Sequence, residues 1–200
     1  MKKTLSKLSA VLLGLGVLPG LGSAQTYKFD VPEKLVNIAF ESRMELEDIL
    51  GSSNQASGEV TRAKDGQVSF HVKVPVTSLK TGIALRDEHL GSSQWLDAKR
   101  FPSIELKGSS ARKLGKDKWR ISGTFTLRGV SKPLVVDVTV TEIPAAVAAK
   151  AGLERVSWIR VRGEFKVKLS DHGLKVPSML SAKVADVWTV RVSLFAKESK

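Results

Sequence analysis

The sequence predicts an all-β domain, one antiparallel sheet packed on a single side, and three observations carry that prediction. From Val36 onward apolar and polar residues alternate with a period of two, which sends successive side chains to opposite faces of a strand. Turn signals such as Lys64-Asp65-Gly66 and Gly115-Lys116-Asp117 separate the alternating runs. Every run keeps one polar face, which fits an antiparallel sandwich or an up-and-down barrel and not a parallel sheet buried on both sides.

The first element is a targeting segment. Lys2, Lys3 and Lys7 form a basic start, an apolar run over residues 10–21 is broken by Gly14, Gly16, Pro19 and Gly20, and Gly22-Ser23-Ala24 supplies small side chains for cleavage. The run is too short and too glycine-broken for a membrane-spanning helix, which needs about 20 apolar residues. The expectation is a signal peptide over residues 1–24, cleaved after Ala24, and a single domain over residues 25–200 that is periplasmic or secreted. The clearest strands follow. Val68, Phe70, Val72, Val74 and Val76 form one apolar row, and Trp119, Ile121, Gly123, Phe125 and Leu127 a second. Leu134, Val136, Val138 and Val140 form a third row, and Ile159, Val161, Gly163, Phe165, Val167 and Leu169 a fourth. Trp188, Val190, Val192 and Leu194 close the series. Shorter candidates over residues 36–44, 58–62 and 103–107 bring the expected number to about eight. Two segments break the period. Residues 82–97 are expected to be helical, with Thr81 as N-cap and Gly91 dividing the helix, and the alanine-rich residues 144–154 to form a short helical excursion over the surface or across a barrel mouth.

Composition bounds the partners. The chain has no cysteine, so neither disulfides nor a lipidated cysteine contribute and the fold rests on its apolar core. Lys and Arg number 32 against 20 Asp and Glu, a formal charge of +12 that falls to +9 without the three leader lysines. Such a balance favours nucleic acid, anionic lipid or plain solubility, and export argues against nucleic acid.

Catalytic patterns are sparse. None of the three histidines has a metal-binding partner at helical or hairpin spacing, and no nucleophile elbow, phosphate loop or dinucleotide fingerprint occurs. Ser170-Asp171-His172 contains the residue types of a hydrolytic triad, but sequence neighbours point in different directions and read as a turn after a strand. His71 falls on a polar strand face and reads as an exposed histidine. Arg86-Asp87-Glu88-His89 is the densest polar cluster; its expected work is to cap a helix and tie it to the barrel rim. The chain is therefore expected to be no enzyme, with no catalytic residue, metal site or cofactor.

Around that cluster the chain resembles the YceI-like family. The stretch Thr81-Gly82, Arg86-Asp87 and His89-Leu90 matches that family's TG-x(3)-RD-x-HL pattern, followed by Trp95-Leu96-Asp97 and Phe101-Pro102. Gly123-Thr124-Phe125-Thr126-Leu127-Arg128-Gly129-Val130 matches its G-x-LTL-x-G-V hairpin. Leu169-Ser170-Asp171-His172-Gly173 matches its L-S-D-aromatic-G turn, with histidine in place of the aromatic. The resemblance implies an eight-stranded antiparallel lipocalin-like barrel with a short helical cap, whose channel holds a polyisoprenoid lipid such as an isoprenoid quinone. It further implies that Phe40, Phe70, Phe125 and Phe165 line the channel while Leu90 and Trp95 close one end. Rim or polar contacts fall to Asn37, Arg86, Asp87 and His89. Many family members carry a histidine in the N-terminal strand; this chain has none there, and Asn37 is the residue available to bond a head-group oxygen. The function implied is an exported carrier or sequestering protein. The alternative is an envelope interaction protein that binds anionic head groups or polysaccharide through its basic outer face, with transient membrane contact and an open oligomeric state.

Overall fold

An alternating strand has to cover its apolar row, and a sheet of many such strands can do so by curling until its ends meet. The computed structural model describes residues 24–199, so the expected leader lies outside the described residues apart from Ala24. Ten strands make one sheet: β1 Gln25–Lys28, β2 Val36–Arg43, β3 Asp48–Ser53, β4 Ser57–Arg62, β5 Val68–Pro75, β6 Ser103–Lys113, β7 Lys118–Leu127, β8 Val130–Ile143, β9 Trp158–Lys168 and β10 Val187–Ser199. All pairings are antiparallel, and consecutive strands pair from β4 through β10.

Closure depends on β10. Its residues Thr189–Leu194 pair with β2, and its residues Lys197–Ser199 pair with β1. β1 in turn pairs with β4, and β2 with β3. Thus β1 and β2 are two lengths of one barrel position, β3 and β4 two lengths of the next, and the ten strands form a closed barrel of eight positions. The expected alternating rows all become strands. β1 and β3 were not expected, because Gln25-Thr26-Tyr27-Lys28 has no apolar row and Asp48-Ile49-Leu50-Gly51-Ser52-Ser53 is short and glycine-broken.

The two ends differ. One end carries the β2–β3 turn, the β7–β8 turn and two long excursions, residues 76–102 and 169–186; the other carries the β4–β5 and β6–β7 turns and residues 144–157. The first excursion holds helix α1, Ala84–Gly91, and the segment 144–157 holds helix α2, Ala145–Lys150. The helix expected over residues 82–97 is thus a single short helix; after Gly91 the chain runs on in turns. Thr81 does not cap it, since Ile83 occupies the N-cap position without a side-chain bond. The bond runs the other way: Thr81 N–H and Oγ1 both donate to Asp87 Oδ1 at 2.7 Å. Arg86 Nη2 donates to Glu47 Oε1 at 2.6 Å, fixing α1 to the β2–β3 turn. These two contacts give Arg86 and Asp87 the tying role expected of them.

Two-residue hairpin turns match strand twist when both central residues adopt positive φ. Arg128 (φ 50°) and Gly129 (φ 74°) join β7 to β8 in this way. The turn aims Arg128 across the closed end, where Nη2 donates to Ser93 O at 3.0 Å and Nη1 to Gly173 O at 3.2 Å. One side chain therefore stitches both excursions together. Ser170, Asp171 and His172 lie in a single 3-10 turn and diverge: Ser170 Oγ donates to Asp186 Oδ2, Asp171 is exposed, and His172 is buried.

Several charges outside the barrel are paired. Arg120 forks onto Asp137 at 2.6 and 2.8 Å, and Arg191 bridges Glu164 and Glu41 at 2.7 and 2.9 Å. His71, read as simply exposed, is half-buried, with Nε2 2.8 Å from Glu105 Oε2. The hydrogen bonds from Arg191 and then Arg43 hold the Glu41 carboxyl down at about 2, against an ordinary value of 4.5. A depressed carboxylate contributes stability that is present above its unfolded value and lost as pH falls through the folded one. Glu41→Gln should therefore lower stability above about pH 4.5 and flatten the acid stability curve between about pH 4.5 and 2, the two proteins converging at the acid end, read by urea midpoints from neutrality down through that range.

Candidate functional site

Inside the barrel, the apolar rows converge on a lumen of about 270 Å³. A single water needs on the order of 10–15 Å³ of such space, so this is far larger than a packing defect. Val72, Val74, Val136, Val138, Val140, Val161, Val167, Val190 and Val192 make up much of the wall. Burial along the axis shows the hollow directly. Toward the closed end Leu79, Leu90, Leu96, Leu127, Leu169 and Leu174 are buried, whereas Val140, Val161, Phe165, Val190 and Val192 face inward at mid-barrel and keep accessible surface.

All six apolar positions expected to line the site do so. Phe40, Phe70, Phe125 and Phe165 project from β2, β5, β7 and β9, and Leu90 and Trp95 close one end from α1 and the turns after it. Their arrangement explains why four phenylalanines leave space between them. Phe40 lies opposite Gly51 on β3, and Phe70 opposite Gly108 on β6. A Cβ on Gly51 would stand 2.1 Å from Phe40 Cζ, and one on Gly108 2.5 Å from Phe70 Cζ. The tip of each ring lies over its cross-strand glycine. Phe40 also stacks on Trp188 with centroids 5.4 Å apart, and Phe125 meets Phe165 edge-on at 5.6 Å. His172, in the family's aromatic position, packs edge-on against Phe125 at 5.5 Å while Nδ1 sits 2.9 Å from Val130 O. It fills an aromatic's place and satisfies a backbone carbonyl as well.

The polar candidates lie elsewhere. Asn37 is exposed on the outer face of β2, because Val36, Ile38 and Phe40 take the inward parity, so it cannot reach a ligand in the lumen. His89 is exposed on α1, and neither it nor Arg86 nor Asp87 lines the lumen. Four polar residues that line it were not expected, Gln25 and Tyr27 from β1, Arg62 from β4 and Glu142 from β8, at the end opposite α1; Glu105 of β6 also borders it, with its carboxylate engaged by His71. Tyr27 is the chain's only tyrosine, the one local signal that could have drawn attention to β1. Burial, followed by the nearby Glu198 and Glu142 carboxylates, pushes its phenol above the ordinary value of 10.0.

Closed topology, an apolar lumen and one polar mouth together define a hollow β-barrel of the kind that encloses a single elongated apolar molecule. The chain belongs to the YceI-like domain family, whose model matches residues 27–196. A UPF0312 protein of Photorhabdus laumondii is 27% identical over 194 residues, 94% of each chain. Among solved structures, Burkholderia cenocepacia BcnA is 20% identical with a TM-score of 0.70, covering 84% of this chain and all of that one. A polyisoprenoid binding domain from Saccharophagus degradans, implicated in plant cell wall breakdown, is 16% identical with a TM-score of 0.65, covering 87% of this chain and 98% of that one.

The seating of Phe40 depends on a missing side chain. The three atoms nearest a Cβ at Gly51 all belong to that ring, so Gly51→Ala should swing Phe40 into the lumen and off Trp188. The expected loss is about 1–3 kcal/mol in urea denaturation, with a crystal structure showing the ring displaced inward.

Proposed function

We propose that this chain is an exported carrier or sequestering protein that takes the apolar chain of a polyisoprenoid-type lipid, such as an isoprenoid quinone, into its barrel. The observation that carries this reading is the hollow itself: inward valines and phenylalanines at mid-barrel retain accessible surface in a lumen walled almost wholly by hydrocarbon. A lipid tail filling it gains roughly 25 cal/mol per Å² of apolar area removed from water, before ordering costs. The family to which the chain belongs, and the polyisoprenoid binding domain that shares its fold, support the same choice of ligand. Holding a lipid needs no covalent chemistry, and the reading assigns the chain no enzymatic step. Its place is the periplasm or the extracellular space, supported by the basic, apolar, small-residue leader.

Surface adhesion through basic outer faces has less support. Two arginines of the outer wall, Arg120 and Arg191, are committed to Asp137, Glu41 and Glu164.

Organic extraction of the purified mature protein, followed by mass spectrometry, should recover a polyprenyl lipid. Recovery of none, together with no uptake of an added polyprenyl quinone, would sink the reading. Two variants test the lumen. Phe125→Arg places a charge against hydrocarbon and should abolish uptake at a cost of several kcal/mol. Val161→Phe separates a hollow from a solid core: overpacking a filled interior costs about 1–3 kcal/mol, whereas here the added volume should be tolerated and uptake should fall.

A further inference from the structure

The lumen's two ends are chemically unlike. At the closed end its lining is leucine and tryptophan; at the other, polar side chains turn inward from three separate strands. Tyr27 pairs with Glu198 across β1 and β10, and Gln25 with Arg62 across β1 and β4, which puts each pair on one face of the sheet. Tyr27, Gln25 and Arg62 line the lumen, so that face is the inner one. Glu142 joins them from β8, two residues beyond the inward Val140. The groups at this mouth make few contacts with one another. Gln25 Nε2 makes one long bond, 3.4 Å, to Glu198 Oε1. Among the described residues the Tyr27 hydroxyl has no hydrogen-bond partner and Arg62 and Glu142 form no ion pair. Arg62 and Glu142 are exposed at the rim, while Tyr27 and Gln25 are half-buried on the lumen wall, so the polar groups here remain available to a ligand.

We propose that this mouth is a head-group subsite, in which Tyr27, Gln25 and Arg62 donate hydrogen bonds to the uncharged oxygen, hydroxyl or carbonyl, at the polar end of a lipid whose tail fills the lumen. The inference rests on the lipid-binding reading above and adds the selection of the head. Tyr27 stays a neutral O–H donor, since burial and both carboxylates disfavour its anion. Beside Tyr27 stand two carboxylates, Glu198 and Glu142, and one guanidinium, Arg62; of the other cations at this end, Lys113 lies over the Trp119 ring at 5.6 Å, and Lys64 and Lys116 belong to the turns. A phosphate seated beside Tyr27 would meet two carboxylates at close range, so the mouth accepts a neutral head and rejects an anionic one.

The test compares three probes on the full mature protein: squalene, a polyprenol of the same number of isoprene units, and that polyprenol's monophosphate. Wild type should bind the alcohol more tightly than the phosphate. Tyr27→Phe should weaken the alcohol about three- to tenfold, the worth of one hydrogen bond, and leave squalene unchanged. Glu142→Gln with Glu198→Gln should strengthen phosphate binding about tenfold with squalene again unchanged. If Tyr27→Phe weakens squalene and alcohol alike, or neither, or if phosphate binds wild type as tightly as the alcohol, the head-group subsite is overturned while the lumen stands. If wild type binds none of the three, the lipid-binding reading falls and takes the subsite with it.

Discussion

The structure depends on one strand having two partners on the same edge. β10 is thirteen residues long and holds β2 with its first half and β1 with its last residues. That double pairing turns an open sheet into a ring, removes the edges that would seed aggregation and gives every alternating row the same inside. Without it the apolar rows of β5, β7, β8 and β9 would need a second layer to cover them. Among the described residues there is no second sheet and no long helix to provide one.

Closing eight positions fixes a diameter, and that diameter leaves more room than the wall residues fill. What keeps the interior open is a local device repeated twice, an aromatic ring laid over a cross-strand glycine, at Phe40 with Gly51 and Phe70 with Gly108. Phenylalanines in these positions cover the hydrophobic wall without crossing the lumen. The same pairs relieve the weakness of glycine in a strand, whose backbone would otherwise stand uncovered. Stability and hollowness are thus supplied by the same contacts.

This division explains what could be read in advance. Phe70, Phe125 and Phe165 sit in runs whose parity is unambiguous, so their inward direction followed from local sequence alone. Phe40 and Asn37 were distinguishable by the same rule: three residues of β2 share one parity, and Asn37 has the other. What stayed hidden was non-local. β1 has no apolar row to announce it, and its inward face is set by register with β4 and β10, strands that lie 30 or more residues away. The helix was expected to run too far because Leu96 was counted with Ile83, Ala84 and Leu90 as its apolar contacts; Trp95 and Leu96 pack on the core from turns, where tertiary contact and not helical periodicity places them. The role of Arg128 was equally invisible, since its positive φ and its reach to Ser93 and Gly173 exist only once both excursions are folded over the end of the barrel.

The asymmetry between the ends follows from where hydrogen bonds are satisfied. At the closed end Ser53 and Ser78 share a bond of 2.7 Å, Ser52 and Lys80 exchange backbone bonds of 2.8 Å, and the Arg86–Glu47 and Thr81–Asp87 contacts pin α1 over the lumen. Polar groups there are spent on each other, and the surface they hold toward the interior is leucine. At the mouth the polar groups point inward and remain available. A molecule with a long apolar body and one polar end matches that gradient in a single orientation, its tail against Leu90 and Trp95 and its head beside Tyr27. A molecule polar at both ends would bury one of them among leucines, at a penalty of a few kcal/mol for each unpaired group. On the lipid-binding reading, the barrel selects its ligand's direction by this difference between its ends, before any contact specific to the head is counted.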